Sequence, residues 1–211
     1  MKLTDLIFEK KGFLPAEDCE AWKDWFWHNT RFHEEGAVGV GEVDTKHKKC
    51  KQVYPVVGLD FWCQLAHETD RAIREFYKWG AKDKLLWRAP LVSYDHAIRC
   101  YPANEGHMRE HIDISPMDPL LLSRLYAMIL YLDDCRQGGE TEFPELGYKC
   151  TPEQGKLLMF PCNQLYSHQG NSSPDSKHIV TAFFCADINA PHLKQNQHPN
   201  QMHGSLYEMY K

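Results

Sequence analysis

The sequence lacks an excess of positive charge, and it contains no long apolar segment. Lys and Arg total 24 against 29 for Asp and Glu, so the formal net charge is −5. A negative balance argues against bulk electrostatic binding to nucleic acid or to an anionic membrane, although local basic patches remain open. No stretch approaches the roughly 20 apolar residues that cross a bilayer, and residues 1–5 show no signal-peptide pattern. We therefore expect a cytoplasmic protein that binds no membrane.

The sequence also lacks a Cys-x-x-Cys pair, which excludes the common spacing of zinc and thioredoxin-like motifs. Its eight cysteines are scattered, and several lie inside apolar runs. An even count leaves four disulfides open, but nothing else indicates secretion. We therefore favour buried, reduced thiols.

The length of 211 residues, with 43% hydrophobic residues, is typical of a single globular domain. Pro15 and the acidic residues after it predict the start of one helix, and apolar spacing predicts a second over 59–79. Between them, residues 34–55 are rich in glycine and then in lysine, a pattern typical of a mobile flap. We expect residues 1–88 to be a mainly helical support that includes this flap.

The second half of the chain has a different pattern, with short β-branched and aromatic segments separated by Pro, Gly and Asn. These segments predict a β-sandwich or jelly-roll barrel over residues 89–188, with the N-terminal α-helices packed on its outside. Residues 189–211 are polar and predict a surface tail. The predicted strands are Leu91–Tyr101, Arg124–Leu132, Lys156–Phe160, Leu165–His168 and His178–Ala186.

Three residues have the composition and the order of a metal site. His111 and Asp113 are separated by one residue, so on a strand both side chains point to the same face, and His168 supplies a third ligand from a later segment. Two imidazoles and one carboxylate form the facial triad of non-haem Fe(II), which leaves positions open for O2 and a co-substrate. Lys177 follows His168 closely and can pair with an anionic group of that co-substrate.

An alternative motif overlaps this site. His107-Met108-Arg109-Glu110-His111 matches the H-x-x-E-H pattern of zinc proteases, in which Glu110 would be the general base. That pattern works only on a helix, where positions i and i+4 share a face. Gly106 precedes the segment and Pro116 follows it, so the sequence argues against a helix here.

Five motifs between residues 90 and 187 occur in a fixed order and resemble a known family. They are Tyr101 before His111-Ile112-Asp113; Tyr131-Leu132-Asp133-Asp134; Gly138-Gly139-Glu140-Thr141-Glu142-Phe143-Pro144; Pro152 to Gly155-Lys156-Leu157-Leu158-Met159-Phe160; and His168-Gln169-Gly170 followed by Lys177. Together they resemble the Fe(II)/2-oxoglutarate dioxygenases, and within them the prolyl 4-hydroxylase-like branch. The first ninety residues resemble the family only in a general way.

The resemblance implies a double-stranded β-helix, a jelly-roll or cupin-like barrel, that binds Fe(II) through His111, Asp113 and His168. It implies 2-oxoglutarate as co-substrate, with its distal carboxylate on Lys177, together with O2 and ascorbate as a reductant. Thr181 and Tyr101 can add hydrogen bonds to the co-substrate, although ordinary strand packing explains both equally well.

The implied reaction hydroxylates a prolyl residue of a peptide or protein and releases succinate and CO2. The lysines of the flap can contact an acidic peptide, or they can form a solvated loop. Two alternatives stay open: the same chemistry on a small molecule or a nucleobase, and a non-catalytic cupin-like binding module.

Overall fold

The computed structural model describes residues 2–38, 41–56, 58–80, 91–116 and 118–187. The predicted tail at 189–211 and the predicted boundary at 88 lie outside these ranges. The helices are α1 (Ala16–His28), α2 (Asp60–Gly80) and the short α3 (Pro119–Leu122). Among the described residues, no helix has both the length and the apolarity that a membrane span requires.

Two antiparallel sheets form the barrel, and their strands are interleaved along the chain. The major sheet has seven strands in the order β1-β12-β9-β14-β7-β6-β2, and the minor sheet has five in the order β11-β10-β13-β8-β5. A separate ribbon joins β3 and β4. The strands are β1 (Phe8–Lys10), β2 (Glu34–Glu35), β3 (Ala37–Val38), β4 (Glu42–Val43), β5 (Lys48–Lys49), β6 (Lys51–Val53), β7 (Leu91–Tyr101), β8 (His107–His111), β9 (Arg124–Tyr131), β10 (Thr141–Phe143), β11 (Tyr148–Cys150), β12 (Leu157–Pro161), β13 (His168–Gly170) and β14 (Lys177–Ala186).

The two long helices pack on the outer face of the major sheet, as predicted. Trp22 and Phe26 of α1 and Leu65 and Phe76 of α2 share one buried cluster with alternate residues of β7, β9 and β14. The other face of the major sheet is turned toward the minor sheet, where Phe160 of β12 contacts Phe143 of β10 with ring centroids 4.9 Å apart. The prediction of a mainly β, jelly-roll barrel with external helices is confirmed.

The cysteines also agree with the prediction. All eight are free thiols, and only Cys63 is exposed. Burial raises the pKa of Cys100 to about 12 and that of Cys185 to about 11, which keeps these thiols protonated and unreactive.

Residues 34–55 were predicted to be a flap in a mainly helical support. The structure instead places strands of this segment in both sheets. β5 pairs with β8 of the minor sheet, and β6 pairs with β7 of the major sheet. The signal was hidden because the inward positions Lys48, Cys50 and Gln52 alternate with outward lysines, and an alternation of polar residues does not resemble a strand. Within the described ranges, the β3–β4 ribbon pairs with neither sheet.

Of the predicted strands, Leu165–His168 differs most from the structure. Three others differ by one residue at one or both ends: Arg124–Leu132, Lys156–Phe160 and His178–Ala186. Residues 164–166 form a 3₁₀ turn, because the side chain of Asn163 accepts a hydrogen bond from the Leu165 N–H and caps it. The strand begins only at His168. The predicted strand Leu91–Tyr101 has the bounds that the structure shows.

Candidate metal centre

His111, Asp113 and His168 converge at the end of two neighbouring strands. His111 ends β8, His168 begins β13, and the two are paired across the minor sheet. Asp113 lies two residues beyond β8, with its carboxylate oxygens 3.6 Å from His111 Nε2 and 3.8 Å from His168 Nε2. One potential ligand atom from each residue lies within 4.8 Å of the others. Two imidazole nitrogens and one carboxylate on one side of a cavity fit Fe(II).

Backbone carbonyls fix which nitrogen of each imidazole faces the centre. His111 Nδ1 lies 2.9 Å from the Arg109 carbonyl oxygen, and His168 Nδ1 lies 3.0 Å from that of Tyr166. With Nδ1–H donating to a carbonyl, Nε2 has a free lone pair directed toward Asp113. This arrangement holds the two rings ready for a metal.

The protonation states at the centre suit a cation. Burial, reinforced by the charge of His111, lowers the pKa of His168 to about 4, so its imidazole is neutral. Burial raises the pKa of Asp113, but the neighbouring His168 and His111 outweigh it and hold that pKa well below its usual range. A neutral imidazole and an ionised carboxylate are the forms that bind metal.

The overlapping zinc-protease motif does not assemble. Residues 107–111 form strand β8, so His107 and His111 do not share a helix face. Both ring nitrogens of His107 contact backbone carbonyl oxygens, those of Glu105 and Lys46. Glu110 is exposed and accepts a hydrogen bond from the Ser167 hydroxyl.

The centre opens into a cavity of about 440 Å³ between the two sheets. Lys177, Tyr101 and Thr181, the residues predicted to bind a co-substrate, all line it. Lys177 is 4% exposed and its ammonium donates to the Gly139 carbonyl oxygen at 2.6 Å. It forms no ion pair with a carboxylate of the described residues, and burial lowers its pKa to about 8. The cavity therefore contains a buried cation that is not neutralised.

Gly138 and Gly139 build the turn that supplies this carbonyl. Their φ angles are +69° and +76°, in the left-handed region that glycine tolerates. A Cβ on Gly138 would lie 2.3 Å from the Ser172 carbonyl oxygen, so the two backbones approach more closely than any side chain allows. The pair therefore has a structural role in this turn.

Tyr101 and Thr181 line the cavity in different ways. Tyr101 is paired with Lys177 across β7 and β14, and the Lys177 ammonium lies 5.1 Å from the centre of its ring. Thr181 has a buried hydroxyl with no hydrogen-bond partner in the described part of the chain. An unpartnered buried hydroxyl costs stability, which makes Thr181 the better candidate for a ligand contact.

Sequence reasoning missed Arg99 and Arg124, and it placed Lys48 on a flap rather than in a strand that lines the cavity. Arg99 lies two residues before Tyr101 on β7, so the period of a strand places it on the same face, and that signal was available. Lys48 reaches the cavity from the segment predicted as a flap. Arg124 donates to the Asp113 carbonyl oxygen at 3.0 Å and pairs with Asp95 at 2.6 Å.

Residues 96–185 match the family model described as the 2OG-Fe(II) oxygenase superfamily. No curated protein matches the chain.

Solved structures share the fold at low sequence identity. A viral collagen prolyl hydroxylase from Paramecium bursaria Chlorella virus-1, in complex with 2OG, has a TM-score of 0.64 and 18% identity over 86% of this chain and 96% of that one. A prolyl hydroxylase from Trichoplax adhaerens, in complex with a hypoxia inducible factor peptide fragment, has a TM-score of 0.67 and 13% identity over 92% and 89%. A Pseudomonas putida prolyl-4-hydroxylase has a TM-score of 0.64 and 17% identity over 85% and 92%.

Proposed function

Residues 96–185 belong to the 2OG-Fe(II) oxygenase superfamily, and from this premise we propose that the chain hydroxylates a prolyl residue of a peptide or protein. The protein is a 2-oxoglutarate-dependent dioxygenase with a prolyl 4-hydroxylase-like fold. The observation that carries the proposal is the convergence of His111, Asp113 and His168 beside a buried cation, Lys177, in one cavity.

We propose His111, Asp113 and His168 as the iron ligands. Bound iron, with 2-oxoglutarate and O2, supplies an oxidant strong enough for an unactivated C–H bond, with release of succinate and CO2 and with ascorbate as reductant. The chain's own residues hold this chemistry in place. The two imidazoles are oriented by backbone carbonyls, and Phe160 and Phe143 pack on the ring of His168 at 4.7 Å and 5.6 Å. These contacts keep bulk water off one side of the centre.

We propose that Lys177 binds the distal carboxylate of 2-oxoglutarate. Its ammonium has three donors, and one of them binds the Gly139 carbonyl oxygen. A carboxylate would accept the others and compensate the buried charge, since buried charges are stable only when they are paired. Tyr101 packs against the same ammonium and shapes the end of the subsite.

Thr181 lies four residues from Lys177 along β14, toward the other end of the cavity wall. Four residues of strand span about 13 Å. The strand continues to Phe183, on whose ring the Arg124 guanidinium stacks at 3.5 Å, and Arg124 in turn contacts Asp113. We therefore assign Thr181 to the end of the co-substrate that is nearer the iron.

A peptide substrate is supported by two similar structures, one described as a collagen prolyl hydroxylase and one in complex with a peptide fragment. The β3–β4 ribbon contributes Ala37 and Val38 to the cavity wall, which suits a segment that closes on an extended chain. Movement of the ribbon over a bound peptide remains a prediction. The family match favours an enzyme over the non-catalytic module that the sequence left open.

The test is succinate release by the full chain with Fe(II), 2-oxoglutarate and a panel of proline-containing peptides, with mass spectrometry of the peptide. We expect peptide-stimulated succinate release and a gain of one oxygen atom on proline. Nucleosides and free amino acids in the same panel test the alternative substrate classes. Stimulation by those compounds alone would contradict the peptide proposal.

A further inference from the structure

Arg99 and Lys48 form a second cationic group in the cavity, which we call the Arg99–Lys48 wall. Both side chains line the cavity, and they are 7% and 6% exposed. Arg99 lies in β7, paired with Ile179 of β14 on one side and with Gln52 of β6 on the other. The wall therefore lies beside β6, at the side of the major sheet away from β9 and β12.

The fold makes room for Lys48 at this position. Its ammonium donates to the Ala37 carbonyl oxygen at 3.0 Å and to Gln52 Oε1 at 3.2 Å, which leaves one of its three donors. A Cβ on Gly36 would lie 3.0 Å from Lys48 Cε and 2.5 Å from Cys50 Sγ. Gly36 thus allows the lysine chain to run under the β3–β4 ribbon into the cavity.

The wall lacks a counter-ion. Arg99 Nε is buried and has no hydrogen-bond partner in the described ranges, and its guanidinium contacts the hydroxyl of Tyr54. Neither Arg99 nor Lys48 forms a salt bridge with a carboxylate that the structure describes. The nearby Asp95 is paired with Arg124. Two buried like charges without an anion are costly, and burial together with the charge of Arg99 lowers the pKa of Lys48 to about 7.

The wall and the Lys177 subsite differ in their polar contacts. Arg99 is the cation that acts most on Lys48. Cys135 and Glu140 are the groups that act most on Lys177, although Cys50 acts on both lysines. Lys177 is held by the Gly139 carbonyl oxygen, and Lys48 by Ala37 and Gln52. One dicarboxylate that spans Lys177 and the iron centre leaves the Arg99–Lys48 wall free.

We propose that the Arg99–Lys48 wall binds a carboxylate of the substrate and so selects substrates with an acidic group close to the hydroxylated residue. The assignment rests on the proposed function, because that function places 2-oxoglutarate on Lys177. A guanidinium offers a planar pair of N–H donors that matches a carboxylate, and the free donor of Lys48 adds a point charge. The carboxylate belongs either to an Asp or Glu side chain or to a C-terminus.

The first test measures binding without turnover. The full chain is loaded with Mn(II) in place of Fe(II) and saturated with 2-oxoglutarate, and its melting temperature is followed with N-acetylglycine and with the uncharged N-acetylglycinamide. We expect stabilisation by the acid alone, because a ligand that binds only the folded state raises its stability. The effect should be lost in Arg99→Met, weakened in Lys48→Met and in Arg99→Lys, which keeps the charge but removes the planar pair of donors, and unchanged in Lys46→Met, an exposed control.

Three outcomes would overturn the proposal. The first is equal stabilisation of the wild type and Arg99→Met by N-acetylglycine, or none in either. The second needs a separate melting series with 2-oxoglutarate alone: loss of its binding in Arg99→Met together with normal binding in Lys177→Met would exchange the two subsites. The third uses inorganic phosphate as the probe, and phosphate binding that excludes N-acetylglycine would reassign the wall to a phosphate group.

The second test identifies the source of the carboxylate by turnover. Proline peptides that differ only in a neighbouring Glu or Gln, and in a C-terminal acid or amide, are compared by their KM. We expect the acidic member of one pair to have a KM lower by about tenfold, the effect of one charged hydrogen bond, and the difference to vanish in Arg99→Met. Equal KM values in both pairs would contradict the proposal. If no prolyl peptide is hydroxylated while N-acetylglycine still stabilises the protein, the proposed function is contradicted, but the carboxylate site at the Arg99–Lys48 wall is not.

Discussion

The two faces of the major sheet are made by alternate residues of the same strands, yet one face packs in the core and the other lines the cavity. On the outer face, Ile98, Val180 and Phe184 are at most 1% exposed and pack against the helices. On the inner face, Arg99, Lys177 and Thr181 line the cavity. Among the described residues, the two cations have no counter-ion and the Thr181 hydroxyl has no hydrogen-bond partner. Because successive side chains point to opposite faces, one strand contributes to stability and to binding at once. Substitutions on one face should therefore change one property and spare the other.

The largest effect is expected at the metal centre. Asp113→Ala removes the only carboxylate of the proposed ligand set, so iron-dependent succinate release should fall to background. Glu110→Ala, three residues away and exposed, is the matched control and should keep full activity. Succinate release by Asp113→Ala, or its loss in Glu110→Ala, would contradict the assignment of Asp113 as the carboxylate ligand.

The outer face is tested by Phe184→Ala in β14. Phe184 is 1% exposed, and its ring fills the core between the sheet and the helices. A cavity left by a phenylalanine costs about 3–5 kcal/mol in the free energy of unfolding, measured by urea denaturation. At a temperature where the variant is still folded, its KM for 2-oxoglutarate should equal that of the wild type. A large change in that KM would show that the two faces are coupled.

The inner face is tested by Lys177→Met. In contrast to Phe184→Ala, this variant should have a higher KM for 2-oxoglutarate and no loss of stability. Loss of a charged hydrogen bond of about 1.5–3 kcal/mol raises the KM for 2-oxoglutarate by about 10- to 100-fold. The unliganded protein should be as stable as the wild type or more so, because the variant removes a buried charge whose pKa burial has already lowered to about 8.

Lys156→Met is the matched control for that variant. Lys156 is also buried, but it is paired with Glu153 at 2.5 Å and Glu9 at 3.3 Å and donates to the Thr151 carbonyl oxygen, so its removal breaks these contacts and should lower stability. The KM for 2-oxoglutarate should not change. A destabilised Lys177→Met with unchanged KM would make Lys177 a structural residue.

The same alternation explains how much of the molecule the sequence predicts. The bounds of Leu91–Tyr101 and the outer face follow from local patterns, since apolar residues recur at every second position. The candidate ligands follow from composition and order, because few residue types bind iron. Once Tyr101 is placed in the cavity, Arg99 follows from the period of the strand.

Other residues of the cavity depend on contacts between distant parts of the chain. Lys48 enters the cavity only because β5 pairs with β8 and β6 pairs with β7, and strand pairing across about fifty residues has no local signature. The turn at Gln164–Tyr166 is local, but its signal is one side-chain cap at Asn163 rather than the apolar pattern. The periodicity of a sequence does not predict long-range strand pairing or a single side-chain cap.

The smallest effect, and the sharpest test of the inner face, is expected for Thr181→Val. Valine has nearly the same shape, so the substitution removes only a hydroxyl that has no partner in the described part of the chain. If Thr181 donates to the co-substrate, the KM for 2-oxoglutarate rises about fivefold, which corresponds to about 1 kcal/mol. The unliganded protein loses an uncompensated buried group, so its melting temperature should stay constant or rise. Thr141→Val is the control for stability, because the Thr141 hydroxyl accepts a hydrogen bond from Tyr131 at 2.7 Å and its removal leaves a buried donor unpaired. A lower melting temperature and an unchanged KM in Thr181→Val would place this threonine with the packing residues, and would limit the proposed binding surface of β14 to Lys177.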